Sequence, residues 1–252
     1  GIVSINYSSL LILFINIICI KFINKVIFPN HICMYHTVKN LLDIKNNIKT
    51  HLNKLNINNN PKIVAVSKTF KIDKILPLLE YGHIDYGENK VQEAVKKWTE
   101  LKKIHTKAKL HMIGKLQTNK VKFAVQIFDY IHSVDSEKLA KKIADEQNKI
   151  NKKIKIFLQV NIGDENQKSG INKNQVGQLV VYCKKINLDL IGLMCIPPAN
   201  IDPENYYIEM NKLNETLGFS ELSMGMSSDF LKAIKHSSSC VRIGSNIFGE
   251  RF

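Results

Sequence analysis

The sequence predicts an α/β protein built as a single (β/α)8 barrel, the TIM barrel. From Lys62 onward, short apolar runs rich in β-branched residues alternate with longer amphipathic segments, in about eight successive pairs. That number of β-then-α units is the number that closes a parallel barrel. An open, doubly wound sheet is the alternative, but the GxGxxG fingerprint of dinucleotide-binding sheets is missing after the first strand.

The expected strands are short apolar runs that end in polar or glycine residues. Between them, segments such as NKVQEAVKKWTELKKI and SEKLAKKIADEQNK place apolar residues at helical spacing. No linker rich in glycine, serine or proline divides the chain, so residues 34–252 are expected to form one domain. The expected strands are 62–67, 84–87, 109–113, 129–134, 154–161, 188–195, 220–224 and 240–243.

Residues 1–33 differ in composition from the rest of the chain. They are rich in isoleucine, leucine and phenylalanine but are interrupted by Asn16, Lys21, Asn24 and Lys25. The uninterrupted apolar stretch of about a dozen residues is shorter than the roughly 20 that span a bilayer. We interpret 1–33 as an extension that either targets the protein to an organelle or has no role in the working protein. The barrel is expected to be cytoplasmic, without membrane contact.

The chain carries a formal net charge of +14, from 36 lysines and arginines against 22 acidic residues. These charges are dispersed, and no helix-turn-helix, zinc-finger or RNP motif accompanies them. A basic RNA-binding protein is therefore the last of the hypotheses, although the field favours anionic ligands.

The cysteines and histidines show no metal-ligand spacing, because CxxC and HExxH motifs are missing. No metal is expected, and a single histidine such as His132 is interpreted as packed or solvated. The five cysteines are widely spaced and are expected to be reduced.

The unusual residues fall at the carboxyl ends of the expected strands, which is where barrels place their functional groups. Closure puts the last strand beside the first, so Arg242 should lie near Lys68, which follows strand one. Two neighbouring cations favour an anion, and the loops after strands seven and eight are a frequent phosphate site. Those loops are expected to contain Ser223, Gly225, Ser227, Gly244 and Ser245.

A phosphate site that shares a rim with a lysine predicts a phosphorylated carbonyl compound held as a Schiff base. Pyridoxal 5′-phosphate (PLP) has both groups. A phospho-sugar aldolase is the alternative, but it needs acid/base carboxylates inside the barrel, and only Glu88 is expected near the mouth.

Seven ordered segments resemble the signature segments of the pyridoxal phosphate homeostasis protein family, of the YggS or PROSC type. The resemblance covers about Tyr35 to Arg251, and the extension has no counterpart in it. The segments are VAVSKTF, YGENKVQEA, HMIGKLQTNK, IHSVDS, LQVNIGDENQKSGI, GLMCIPP and LSMGMSSDFLKAIKHSSSCVRIGSNIFGER.

The resemblance implies a fold-type-III PLP barrel, similar to the barrel half of alanine racemase. It implies that Lys68 forms the Schiff base, that Arg242 faces the pyridine nitrogen and that Asn89 lies beside the ring. The implied phosphate contacts are Ser223, Gly244 and Ser245.

The implied function is to bind PLP and maintain intracellular vitamin B6 homeostasis, with no strong catalytic turnover. PLP-dependent apo-enzymes are the implied acceptors, and the family resemblance implies a monomer. An arginine at the ring nitrogen disfavours the pyridinium form, which weakens PLP as an electron sink. Few residues follow the eighth unit, so the β domain that gives a racemase its second acid/base group is not expected.

The alternative function is a PLP-dependent, racemase-like enzyme that uses Tyr86, Lys115 or Glu88 as its base. Lys120 and Lys168 are candidate secondary contacts for PLP, but both are better interpreted as solvated loop lysines.

Overall fold

The computed structural model describes residues 30–165 and 169–250, with side chains from His36 onward. Within these ranges the eight strands form a closed parallel barrel in the order β1 to β8. The predicted (β/α)8 barrel is thereby confirmed. Lys168 and most of the expected extension lie outside the described residues.

The strands lie close to the predicted runs. β2 begins one residue later than predicted and includes Glu88, and β7 extends two residues past its predicted end, to Met226. The bounds are β1 Lys62–Val66, β2 Asp85–Glu88, β3 Lys109–Met112, β4 Tyr130–Val134, β5 Lys155–Val160, β6 Asp189–Cys195, β7 Glu221–Met226 and β8 Cys240–Ile243.

A helix follows each strand and packs outside the barrel, and a longer helix, α1, precedes β1. None of the helices in the described residues is long and apolar enough to cross a membrane. The bounds are α1 Asn30–Leu55, α2 Ile72–Glu80, α3 Val91–Ile104, α4 Val121–Ile127, α5 Glu137–Lys149, α6 Val176–Lys185, α7 Glu204–Thr216, α8 Phe230–Lys235 and α9 Ser245–Phe248.

The seam between β1 and β8 closes the barrel. Ala65 pairs with Ile243, so the segments that follow both strands emerge at the same rim. α1 covers the outside of this seam: its side chains at helical spacing, such as Leu41 and Ile48, are buried, and Asn40 Nδ2 donates to the Ile247 carbonyl at 3.0 Å. The first and last described elements therefore hold the seam together.

Candidate functional site

Lys68 lies in the turn after β1, at the carboxyl-terminal rim, and its side chain is half-buried. The next residue, Thr69, has φ +67°, a left-handed conformation that a β-branched residue rarely adopts. Glu93 stabilises it, because the Thr69 N–H donates to Glu93 Oε1 at 2.6 Å. The backbone beside the lysine is therefore fixed by a contact with α3.

A buried network beneath this turn connects it to the barrel wall. Glu88 is fully buried, and its Oε1 accepts from Ser67 Oγ at 2.7 Å, Lys97 Nζ at 3.0 Å and Trp98 Nε1 at 3.0 Å. Lys97 also donates to the Ser67 carbonyl at 2.8 Å and to Glu93 at 3.0 Å. We call Ser67, Glu88, Glu93, Lys97 and Trp98 the outer network, because it lies between the sheet and α3.

The prediction that Glu88 offers a carboxylate at the mouth is wrong. Glu88 and Tyr86 lie on the face of β2 that packs against α3, where the Tyr86 ring contacts the Trp98 ring at 4.8 Å between centroids. Burial raises the pKa of Tyr86, and its hydroxyl donates to the His83 carbonyl at 3.1 Å. Of the three candidate racemase bases, only Lys115 is exposed, in the loop after β3.

Arg242 lies on β8 with its side chain inside the barrel, and the residue is only 4% exposed. Its NH1 donates to Ser223 Oγ at 2.6 Å, and its NH2 donates to the Cys195 carbonyl at 2.8 Å. Two contacts from different strands therefore fix the guanidinium, which is charged at all accessible pH values.

Ser223 occupies a different place from the one predicted. It lies within β7, fully buried, as the predicted strand 220–224 requires, and not in the loop that follows, where its phosphate contact was expected. A register shift against β8 and the φ of +92° at Gly225 accommodate the extension of β7 to Met226. Its hydroxyl contacts Arg242 and His132 Nδ1, the latter at 2.9 Å. The phosphate contact of Ser223 stays a prediction.

The loop that follows β7 offers Ser227 instead. Ser227 Oγ accepts from the Gly244 N–H at 3.3 Å, and Asn246 Nδ2 donates to the Ser227 carbonyl at 2.9 Å. Ser245, at the start of α9, is exposed beside them. The structure thus brings Gly244 and Ser245 together with Ser227, a residue that was expected in the loop after β7 but is not among the implied phosphate contacts.

Asn89 follows β2 at the same rim and is half-buried. The loop after β3 packs directly on its backbone: a Cβ at Gly114 would lie 2.5 Å from the Asn89 carbonyl oxygen. Only glycine permits this approach, so Gly114 helps to fix the position of Asn89.

A continuous line of polar side chains crosses the barrel interior below Arg242. His132 Nε2 lies 2.9 Å from His111 Nδ1, and His111 Nε2 lies 3.0 Å from Asp85 Oδ1. Burial lowers the pKa of His111, and it lowers the pKa of His132 still further below its usual value, with additional contributions from His111 and Arg242. We call Asp85, His111, His132, Ser223 and Arg242 the inner chain. No cluster of metal-ligating residues occurs in the ranges that the structure describes.

These features fit PLP. Lys68 provides an amine, Gly244, Ser245 and Ser227 provide N–H and hydroxyl donors of the kind that bind phosphate, and Arg242 provides a donor for a ring nitrogen. All three sets lie at, or just below, the rim formed by the carboxyl ends of β1, β7 and β8.

Comparison with known proteins identifies the family. The model of the alanine racemase N-terminal domain matches residues 40–251. A protein of Haemophilus influenzae named pyridoxal phosphate homeostasis protein is 38% identical over 225 residues, which is 84% of this chain and 94% of the relative. The chain belongs to the pyridoxal phosphate homeostasis protein family. The family member of Aquifex aeolicus is 37% identical over 200 residues, covering 75% of this chain and 87% of the relative.

Solved structures agree with this membership. PipY of Synechococcus elongatus, in a structure described as having PLP bound, superposes with a TM-score of 0.68 and 30% identity, covering 80% of this chain and all of PipY. Alanine racemase of Clostridium difficile has a TM-score of 0.66 and 17% identity, covering 86% of this chain but 57% of the racemase. That second likeness shows the shared fold alone.

Proposed function

We propose that this protein binds PLP as a Schiff base on Lys68 and thereby maintains the intracellular supply of vitamin B6. The observation that carries the proposal is the placement of Lys68, Arg242 and the Gly244 turn at one rim. The relatives named pyridoxal phosphate homeostasis protein and the PLP-bound PipY structure support the same ligand.

Attachment is a reversible condensation. The neutral Lys68 amine forms a C=N bond to the aldehyde carbon of PLP, and the aldehyde oxygen leaves as water. Hydrolysis reverses the step and releases PLP, which a protein that buffers the cofactor requires. When bound, PLP supplies an electrophilic ring that can accept electron density.

Arg242 favours storage over turnover. A cationic guanidinium donates a hydrogen bond to the ring nitrogen and keeps that nitrogen unprotonated, which weakens its capacity to stabilise a carbanion. The surrounding residues give little support for acid/base chemistry, because Glu88 and Tyr86 lie in the wall against α3. We therefore propose a carrier without strong turnover.

The decisive experiment is to load the purified protein with PLP, reduce it with borohydride and map the modified peptide. We expect visible absorbance from the Schiff base and a single major adduct at Lys68. Lys68→Ala should lose the band and the adduct. Lys71→Ala, which removes an exposed lysine three residues further along, should keep both. A wild-type protein that stays colourless with PLP would contradict the proposal.

The acceptor and the working state are further parts of the proposal. We propose that the monomer delivers PLP in the cytoplasm to PLP-dependent apo-enzymes. Mixing the loaded protein with an apo-enzyme should restore the activity of that enzyme faster than free PLP at the same concentration, and sedimentation should give the mass of one chain. Equal rates would indicate release into solution without direct delivery.

Racemase-like activity is the second candidate, supported by the exposed Lys115 in the loop after β3. Solvent deuterium incorporated at the α-carbon of free amino acids by the loaded protein would favour this candidate. We expect no incorporation above that given by free PLP.

A further inference from the structure

We propose that the Asp85 carboxylate sets the direction of every hydrogen bond in the inner chain, so that Asp85, His111, His132 and Ser223 are positioning residues for Arg242. This inference rests on the proposed function, since Arg242 is the donor for the PLP ring nitrogen. The inner chain extends from Asp85, the first residue of β2, to the Arg242 guanidinium, which lies below the carboxyl-terminal rim.

The direction starts at Asp85. An ionised carboxylate only accepts hydrogen bonds, so the His111 Nε2 that lies 3.0 Å away must carry the hydrogen. A neutral imidazole has one donor and one acceptor, which makes His111 Nδ1 an acceptor. The geometry is well supported, because the His111 ring stacks on the Tyr130 ring at 4.1 Å between centroids and an interplanar angle of 5°.

The same rule carries the direction to the next ring. His132 Nε2 lies 2.9 Å from His111 Nδ1 and must donate to it, so His132 Nδ1 becomes an acceptor. The Ser223 hydroxyl, 2.9 Å away, then donates its hydrogen to His132 Nδ1. Both lone pairs of Ser223 Oγ remain available, and one accepts from Arg242 NH1 at 2.6 Å.

The reverse direction has two faults. It would place the lone pair of His111 Nε2 against a carboxylate oxygen, and it would make His132 donate to a serine oxygen that already accepts from Arg242. The Ser223 hydrogen would then have no acceptor within the inner chain, and only the sulfur of Cys240, a weak acceptor, would be left for it. Protonated rings are also disfavoured, because both imidazoles are fully buried and face each other through one N to N contact.

The consequence for Arg242 is a fixed orientation. Ser223 Oγ and the Cys195 carbonyl accept one N–H from each terminal nitrogen. The backbone of β6 fixes the Cys195 carbonyl, and the inner chain fixes the Ser223 hydroxyl by taking its hydrogen at His132. Positioning of Arg242 does not depend on any turnover. The inference can therefore be tested on the protein without PLP.

The first test is nitrogen-15 NMR of the histidine rings in the protein without PLP. We expect His111 and His132 both to be neutral and to carry hydrogen on Nε2, with assignments from His111→Gln and His132→Gln. Hydrogen on Nδ1 of either ring, or a protonated ring at neutral pH, would overturn the inference. The proposed function would be unaffected by that result.

The second test uses Asp85→Asn and Ser223→Ala. Asparagine presents either an oxygen or an amide N–H, so we expect mixed tautomers at His111 and also at His132, which does not contact residue 85. Ser223→Ala leaves Asp85 in place, so both rings should keep hydrogen on Nε2. If Asp85→Asn leaves His132 unchanged, the direction is not set by Asp85.

The effect on PLP is measured separately. Both variants should weaken PLP binding between about 2- and 30-fold, the range for residues that act through a hydrogen-bonded network. Asp189→Asn is the matched control, because Asp189 begins β6 as Asp85 begins β2 but is outside the inner chain, and it should change neither spectrum nor affinity. Unchanged PLP affinity in both Asp85→Asn and Ser223→Ala would refute the positioning role. Absence of PLP binding by the wild-type protein would refute the proposed function, but it would not affect the tautomers measured without PLP.

Discussion

The inner chain and the outer network lie on opposite faces of the same barrel wall and hold the two ends of the proposed ligand site. The outer network is a direct ion pair with added donors: Glu88 and Lys97 are in contact and both are largely buried. The inner chain separates its two charges, on Asp85 and Arg242, by two neutral rings and a hydroxyl.

This difference shows two ways to fix a side chain at a rim. The outer network fixes the backbone beside Lys68 by charge, because Glu93 and Lys97 bind the main chain at Thr69 and Ser67. The inner chain fixes Arg242 by the direction of hydrogen bonds, which needs no nearby counter-charge. The two should therefore respond differently to truncation and to pH.

The largest expected effect comes from the outer network. Glu88→Ala leaves the buried Trp98 N–H without its acceptor and takes from the Lys97 ammonium its fully buried carboxylate partner, so that Glu93 and the Ser67 carbonyl alone accept from it. The loss should lower the free energy of unfolding by about 3–5 kcal/mol. Glu88→Gln keeps an oxygen for these donors and should cost less, about 1–3 kcal/mol. Urea unfolding measures both. Equal losses would show that the charge of Glu88, rather than its contacts, dominates.

The pH dependence should separate the two regions. Burial lowers the pKa values of His111 and His132 in the folded protein. The neutral rings therefore contribute their full stability at pH values above the unfolded pKa of about 6.5. As the pH falls below about 6.5, each ring that stays neutral in the folded protein lowers the free energy of unfolding by up to about 1.4 kcal/mol per pH unit. Unfolding measured between about pH 7.5 and about pH 5.5 should show this loss, and His132→Gln should reduce its slope. An unchanged slope would mean that His132 is not neutral in the folded protein.

The smallest expected effect is at Glu93. Burial acts to raise its pKa, but hydrogen bonds from Lys97 and the Thr69 N–H outweigh it and lower the pKa. Glu93→Gln should cost about 0.5–1 kcal/mol at neutral pH, since the side chain is 28% exposed. The difference from wild type should disappear as the pH falls through the lowered pKa, below about 4.5. Hydrogen exchange at the Thr69 N–H should be faster in Glu93→Gln than in the wild-type protein. An unchanged exchange rate would mean that Glu93 does not hold the turn.

The sequence predicted the barrel and the rim well, because both depend on local patterns. Alternating apolar runs identify strands, and a closed parallel barrel puts every strand end at one rim, which was enough to bring Lys68 and Gly244 together. The predicted division at residue 34 and the individual ligand contacts stay predictions.

The errors come from side-chain parity and register. β2 ends one residue later than predicted, so Glu88 is a strand residue on the same outer face as Tyr86 and not a loop residue at the mouth. Ser223 fell within the predicted strand 220–224 but was assigned to the loop after it, and alternation along β7 turns its hydroxyl into the barrel, towards Arg242 and His132. The expectation that His132 is packed or solvated agrees with its full burial, but its partners His111 and Ser223 are distant in sequence, and the sequence could not predict that they meet in the folded barrel.

The seam between β1 and β8 also has a consequence for how the protein is made. Lys68 precedes Arg242 and the Gly244 turn in the chain, so it leaves the ribosome before them. Only then can α9 pack on α1 and Phe248 stack on Phe70, at 4.9 Å between ring centroids. A partly synthesised chain has the reactive amine without the groups that hold the cofactor. Vitamin capture thus requires that the chain be synthesised and folded through α9.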